Sequence, residues 1–192
     1  AGVRQEIAER GMTSEEDSKA GELVRRCDAL VSTRSTWDSH WQEIAEVILP
    51  SYSGSFLSQQ NNVPGKKRTE KMFDSTGADA LNKFAAAMES MLTPHGSRWH
   101  RLKPQDKTLK NDRATALWFE DVTDLLFDYR YAPKANYASN QHEIYMGLGA
   151  FGTGVLFIDE LGPRQGPRYK AIHLGECYFL ENHQGLVDEV FR

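Results

Sequence analysis

The sequence predicts an α+β protein, with long helices first and a small antiparallel β meander after them. Two observations carry this expectation. From Leu23 to Leu148 the apolar residues recur at three- and four-residue intervals, the period of a helix face. After Gly154 the period changes to short runs rich in aromatic and β-branched residues, separated by glycine-containing turns. The change happens once, so helices and strands are segregated rather than alternating.

The first helix is expected from Leu23, with Cys27, Leu30, Trp37, Trp41, Ile44 and Ile48 on one face. Arg34 interrupts this stripe inside the weak helix-forming stretch Ser32–Thr36, which predicts a bend or break there. Pro50 stops the helix. The 20 residues before it are charged and polar, and read as a solvated arm. Residues 51–71 form a long polar loop containing Gly54, Pro64 and Gly65, a length that suits use by a partner. A second helix is capped by Asp74, runs through Ala78, Leu81, Ala85, Met88 and Leu92, and ends at Thr93-Pro94. The small residues Ala85, Ala86 and Ala87 allow another backbone to come close.

A basic connector with Trp99 embedded in it leads to a third helix, capped by Asn111 or Asp112. Its expected stripe is Ala114, Trp118, Val122, Leu125 and Tyr129. A fourth helix covers about 137–150, with Ile144, Tyr145 and Leu148 inward. Strands are expected at 155–159, 168–174, 176–181 and 186–191. The organisation is therefore an arm at 1–20, a helical region at 21–150 and a meander at 151–192. The meander reads as an incomplete domain, and the chain as a fragment.

With 23 Lys+Arg against 27 Asp+Glu, a net charge of −4 and 40% apolar residues, the composition is that of an ordinary folded protein. Its 192 residues suit one domain with or without an arm. No apolar run approaches the ~18 residues of a membrane-spanning helix, so no membrane is expected as a partner. The two cysteines, Cys27 and Cys177, fit no metal or redox spacing and are expected to be free, buried thiols in a reducing compartment.

Motifs for chemistry are weak. Gly147, Gly149 and Gly152 have the spacing of a dinucleotide-binding loop, but they follow a helix and precede a strand. That order leaves no helix N-terminus to hold a phosphate. Gly147 and Gly149 are read instead as close helix packing, with Gly152 and Gly154 turning helix into strand at positive φ. His142-Glu143 lacks the second histidine of a zinc helix, since position 146 is Met. The expectation is no catalytic residues, no metal and no cofactor. The tryptophans, Trp37, Trp41, Trp99 and Trp118, are read as core or subunit-interface groups. The sharpest charge cluster, Lys66, Lys67, Arg68 and Lys71, is either a solvated loop tip or a contact to nucleic acid or to an acidic neighbouring subunit.

Four stretches carry a family resemblance: WDSHWQEIAEVILP (37–50), MFDSTGADALNKFAAAMESMLTPHGSRWHRL (72–102), LGAFGTGVLFIDE (148–160) and ECYFLENHQGLVDEVFR (176–192). In order and spacing the chain resembles, over about residues 20–192, the N-terminal part of the head-to-tail connector, or portal, proteins of short-tailed, T7-like bacteriophages. The resemblance implies a portal wing-like region and a non-enzymatic ring, typically of twelve subunits, at the capsid portal vertex of a virion assembled in the host cytoplasm. It implies viral DNA passing through the ring without sequence preference. It further implies contacts with the packaging terminase and with capsid, scaffold and tail adaptor proteins. The second expectation, from a different class, is a small cytosolic enzyme with loop 51–71 as its lid.

Overall fold

The computed structural model describes residues 14–52, 56, 69, 71–106, 108–162 and 165–192. Helix α1 (Ser14–Ile48) is a single helix of 35 residues. It begins ahead of Leu23, and the predicted interruption at Arg34 is absent: the helix passes through Ser32–Thr36 unbroken. The buried face also differs from the apolar stripe. Asp38, Gln42, Ala45 and Leu49 are buried, while Trp37 is 60% exposed. A stripe drawn through apolar positions alone ran along the edge of the packed face.

A 3-10 turn (Pro50–Tyr52) ends α1. Helix α2 (Thr76–Leu92) follows, then α3 (Arg113–Tyr131) and α4 (Tyr137–Phe151). Asp112 caps α3 by accepting the Thr115 N–H at 2.9 Å. The packed side of α3 carries Phe119, Thr123, Phe127 and Arg130, whereas Leu117, Trp118 and Leu125 point to solvent. This corrects the expected stripe, and of the two roles expected for Trp118, core or subunit interface, it excludes the core of one copy. Thr123 is only 1% exposed because its hydroxyl is used twice. It donates to the Phe119 carbonyl at 2.6 Å and accepts the Leu102 N–H at 3.2 Å, stitching the connector to the helix.

In α4, Tyr145 is buried and Ile144 half-buried, but Leu148 is exposed, against expectation. Gly149 lies where an added Cβ would come within 2.7–3.0 Å of Leu81 and Phe84, so α2 and α4 meet at a distance only glycine permits. Gly152 ends α4 with φ +76°, its N–H bonded to the Leu148 carbonyl. Gly154 does not have positive φ; it is required by room, since a Cβ would sit 3.0 Å from the Ile144 carbonyl oxygen.

The strands are β1 (Val155–Glu160), β2 (Pro167–Ile172), β3 (Tyr178–Glu181) and β4 (Val187–Phe191). They form two separate antiparallel ribbons, β1–β2 and β3–β4, joined by a 3-10 turn at Leu174–Glu176. Asn140 of α4 fastens β2 by accepting the Ala171 N–H at 2.7 Å. The architecture is α+β, helices followed by hairpins, as the change of period indicates.

Two apolar centres result. Ala45, Leu49, Phe56, Leu81, Phe151 and Leu174 form the main one, with Trp41 packed against it. Ala135, Tyr137 and Tyr169 form the second, with Trp99 and Tyr131 at its border. Trp41 lies 5.8 Å from Phe56 and 5.9 Å from Trp37. Trp41→Ala should therefore lose about 3–5 kcal/mol of stability. Trp37→Ala should lose about 1 kcal/mol or less, as an exposed position does. Denaturant melts of the two variants measure the contrast, and equal losses would reject this division of the pair.

Candidate functional site

Among the described residues the most connected side chain is Arg34, the gap in the apolar stripe. Arg34 lies half-buried on α1, facing the turn between the two ribbons. One terminal nitrogen donates to the carbonyls of Leu174, at 3.2 Å, and Cys177. The other donates to the Gly175 carbonyl at 2.9 Å. Its Nε lies 2.8 Å from Asp38 Oδ1, one helical turn along. The ring of Tyr178 stacks below the guanidinium at 3.8 Å. A planar fork of five donors suits this set, which a lysine's single ammonium would not.

Burial raises the Asp38 carboxyl above its ordinary value, with Arg34 opposing that shift. His173 sits on the same turn. Its Nδ1 accepts the Gly175 N–H at 2.9 Å, and its ring stacks on Tyr52 at 4.4 Å and lies 4.9 Å from Phe56. Its Nε2 is buried without a hydrogen-bond partner among the described residues. Burial lowers the His173 pKa; Arg34 adds to the effect and Glu176 opposes it. Cys177, beside this junction, is a free buried thiol pushed up by burial, and Cys27 is free and half-buried.

A second cluster gathers around Arg130 of α3. Its guanidinium carbon is 4.8 Å from the Trp99 ring and 5.5 Å from Tyr137. It also reaches His100 Nδ1 at 3.3 Å and the Tyr169 hydroxyl at 3.4 Å. Trp99 in turn donates its indole N–H to the Tyr131 hydroxyl at 3.1 Å. Burial, foremost, pushes the Tyr137 phenol up to about 12. Arg98 pairs with Glu120 at 3.6 Å and with Asp124 across the rim of two clefts of about 400 and 380 Å³. These contacts fix the basic connector against α3 and engage Arg98 within the chain.

The remaining positions singled out in the sequence are spread over the fold. Asp74 accepts the Thr76 N–H at 3.2 Å, and that bonding holds its carboxyl below the usual range. The helix begins at Thr76, one residue later than a cap at Asp74 implies, and Ser75 occupies the cap position. Lys71 pairs with Glu46 of α1 at 2.6 Å, which raises its pKa. Lys66, Lys67 and Arg68 lie outside the described residues. Glu89 and His142, the residue of the incomplete zinc motif, form a pair at 3.2 Å. Among the described residues no group of three or more His, Cys, Asp or Glu is close enough to hold a metal. No helix there is long and apolar enough to cross a membrane.

Two outcomes test the junction. Arg34→Met should destabilise the protein by about 3–5 kcal/mol, because Asp38 is left buried without its counter-charge. Adding Asp38→Leu should recover part of that loss in the same melting assay; no recovery would show that the carbonyl bonds alone carry the effect. The pH dependence follows from His173, whose folded pKa lies below the unfolded value of about 6.5. The unfolded chain then takes up the proton first, so the contribution is complete above that pH and is lost as pH falls toward the folded value. His173→Asn keeps an acceptor but does not titrate. Its melting temperature should fall less than that of wild type between pH 7.5 and 5.5.

A profile of the family described as bacteriophage head to tail connecting protein matches residues 20–192. The chain is 31% identical over 171 residues to a probable portal protein of Bordetella phage BPP-1, covering 88% of this chain. It is 25% identical over 170 residues to the portal protein of Salmonella phage epsilon15, again covering 88% of this chain. In both cases it spans 30% of the relative's length. The match over nearly the whole chain leads to one conclusion: the chain belongs to the bacteriophage head to tail connecting protein family.

Proposed function

We propose that the chain is part of the portal subunit of a phage head–tail connector, a structural protein of the virion located at the capsid portal vertex. The observation that carries this reading is the match, over 88% of the chain, to two proteins both named as portal proteins. In this reading the full polypeptide assembles in the host cytoplasm as a ring of about twelve copies and needs no cofactor. Viral DNA passes through the ring during packaging and ejection. The packaging terminase docks on it, capsid and scaffold proteins surround it, and tail adaptor proteins attach to it. The chain supplies the wing-like region, with 21–150 as the helical part and 151–192 as the β part.

The fold supports a scaffolding role. Its two best-connected side chains, Arg34 and Arg130, each bind several backbone or aromatic partners within the chain and hold ribbons against helices. A protein that passes DNA must also let it slide, so any contact should be weak and dominated by counterion release. Lys66, Lys67 and Arg68 are the residues proposed for it.

Electron microscopy of the full polypeptide should show rings with a central channel. Replacing Lys66, Lys67 and Arg68 together by Ala should lower the log–log salt slope of DNA binding by at most about 3 while rings persist. A full polypeptide that remains monomeric under packaging conditions, or that turns over a substrate reproducibly, would overturn the portal reading. An unchanged salt slope would remove only the DNA contact.

A further inference from the structure

The outward side of α3 carries an unusual line of residues. Trp118, Asp121, Leu125 and Asp128 follow one another at intervals of three, four and three, so they share one helix face. Trp118 is 59% and Leu125 52% exposed. Neither Asp121 nor Asp128 has a charged or hydrogen-bonding partner among the described residues, and the apolar rings and branches beside them are equally uncovered. An alternation of apolar and acidic groups on one open face is a surface for a partner whose pattern is apolar and basic.

That pattern exists on the same chain. In the N-terminal part of α1, Lys19, Leu23, Arg26 and Leu30 follow at intervals of four, three and four. Leu23 is 52% exposed, Leu30 is half-buried, and Lys19 is exposed without a partner among the described residues. Arg26 has only a half-exposed contact to Glu189 at 3.3 Å, the kind of pair that contributes little and exchanges readily. Set antiparallel, the two lines coincide: Trp118 meets Leu30, Asp121 meets Arg26, Leu125 meets Leu23 and Asp128 meets Lys19. The lines span 10 and 11 residue steps, about 15 and 16.5 Å at the rise of an α-helix, so charge stays on charge and apolar on apolar from end to end.

The α3 line is open in one copy and the α1 line is open apart from Leu30 and the Arg26–Glu189 pair, so neither covers the other within the chain. We infer that the Trp118–Asp128 face of α3 docks antiparallel on the Lys19–Leu30 face of α1 in a second copy. The two surfaces differ, which makes the contact heterologous; each copy keeps one free face on either side, and repetition gives a ring when the rotation closes. The inference rests on the portal reading and supplies a contact for its assembly.

Charge reversal in the full polypeptide tests it. D121K/D128K alone and K19E/R26E alone should each abolish assembly in sedimentation, with circular dichroism melts close to wild type. Mixed one to one, the two variants should assemble again, because every contact in an alternating ring then joins opposite charges. All four substitutions in one chain should also restore assembly. A misfolded variant could not be rescued by mixing, so loss of structure does not mimic the result. Assembly unaffected by either reversal, or failure of the mixture to assemble, would overturn this contact while leaving the portal reading intact; the exposed lines would then serve other partners. A wild-type protein that fails to assemble at all would overturn both.

Discussion

Arg34 imposes the condition on which the arrangement of helices and ribbons depends. A guanidinium on the packed side of a helix is costly unless its charge and donors are met, and α1 offers it only the counter-charge of Asp38. Three of its donors are met by backbone carbonyls at Leu174, Gly175 and Cys177, which become available only when the chain turns tightly between β2 and β3. The turn and the helix therefore need each other. Apolar burial of Leu174 and Phe179 against Ala45 and Leu49 supplies attraction without direction. The arginine supplies direction, since its planar fork accepts one placement of the turn and rejects a shift by a residue.

The second cluster solves a related problem with different means. The connector at residues 95–102 has little apolar content to bury, and it is held by stacking and by single hydrogen bonds. Trp99 packs between Arg130 and Phe127 while its N–H is taken by Tyr131. His100 stacks on Phe127 at 4.5 Å, where burial and Arg130 lower its pKa. The same Arg130 touches Tyr137 and Tyr169, so one cation ties the connector, α3, α4 and β2 together. Both centres thus use an arginine where a simpler fold would use a leucine. The consequence is specificity of geometry rather than extra depth of core.

Much of the fold was legible in the sequence because it depended on period and punctuation. Four helices, their ends near Pro50, Thr93 and Gly152, and the hairpins after Gly154 all follow from local signals. Which side of each helix is buried was not legible to the same degree. Arg34 and Thr123 lie on packed faces because of carbonyls and an amide far along the chain, and nothing within a few residues announces them. Conversely, Trp37 and Trp118, read by type as core or subunit-interface groups, stand 60% and 59% exposed and so lie outside the core of one copy. Polar residues that are satisfied from far along the chain are where a pattern of apolar spacing fails. Gly154 shows the same limit in small: its need for glycine was foreseen, but the reason is the Ile144 carbonyl and not its dihedral angle.

The unbroken course of α1 has a mechanical meaning. At 1.5 Å per residue its 35 residues make a rod of about 52 Å, far longer than any other element of the chain. Arg34 pins that rod off-centre, about 30 Å from its N-terminal end, to the turn between the ribbons. A hinge at Ser32–Thr36 would have absorbed a push on the N-terminal turns. Without one, the push arrives as torque on the pinned turn, with a lever arm longer than the ribbons themselves. Whatever grips the first turns of α1 thereby also grips the β3–β4 ribbon.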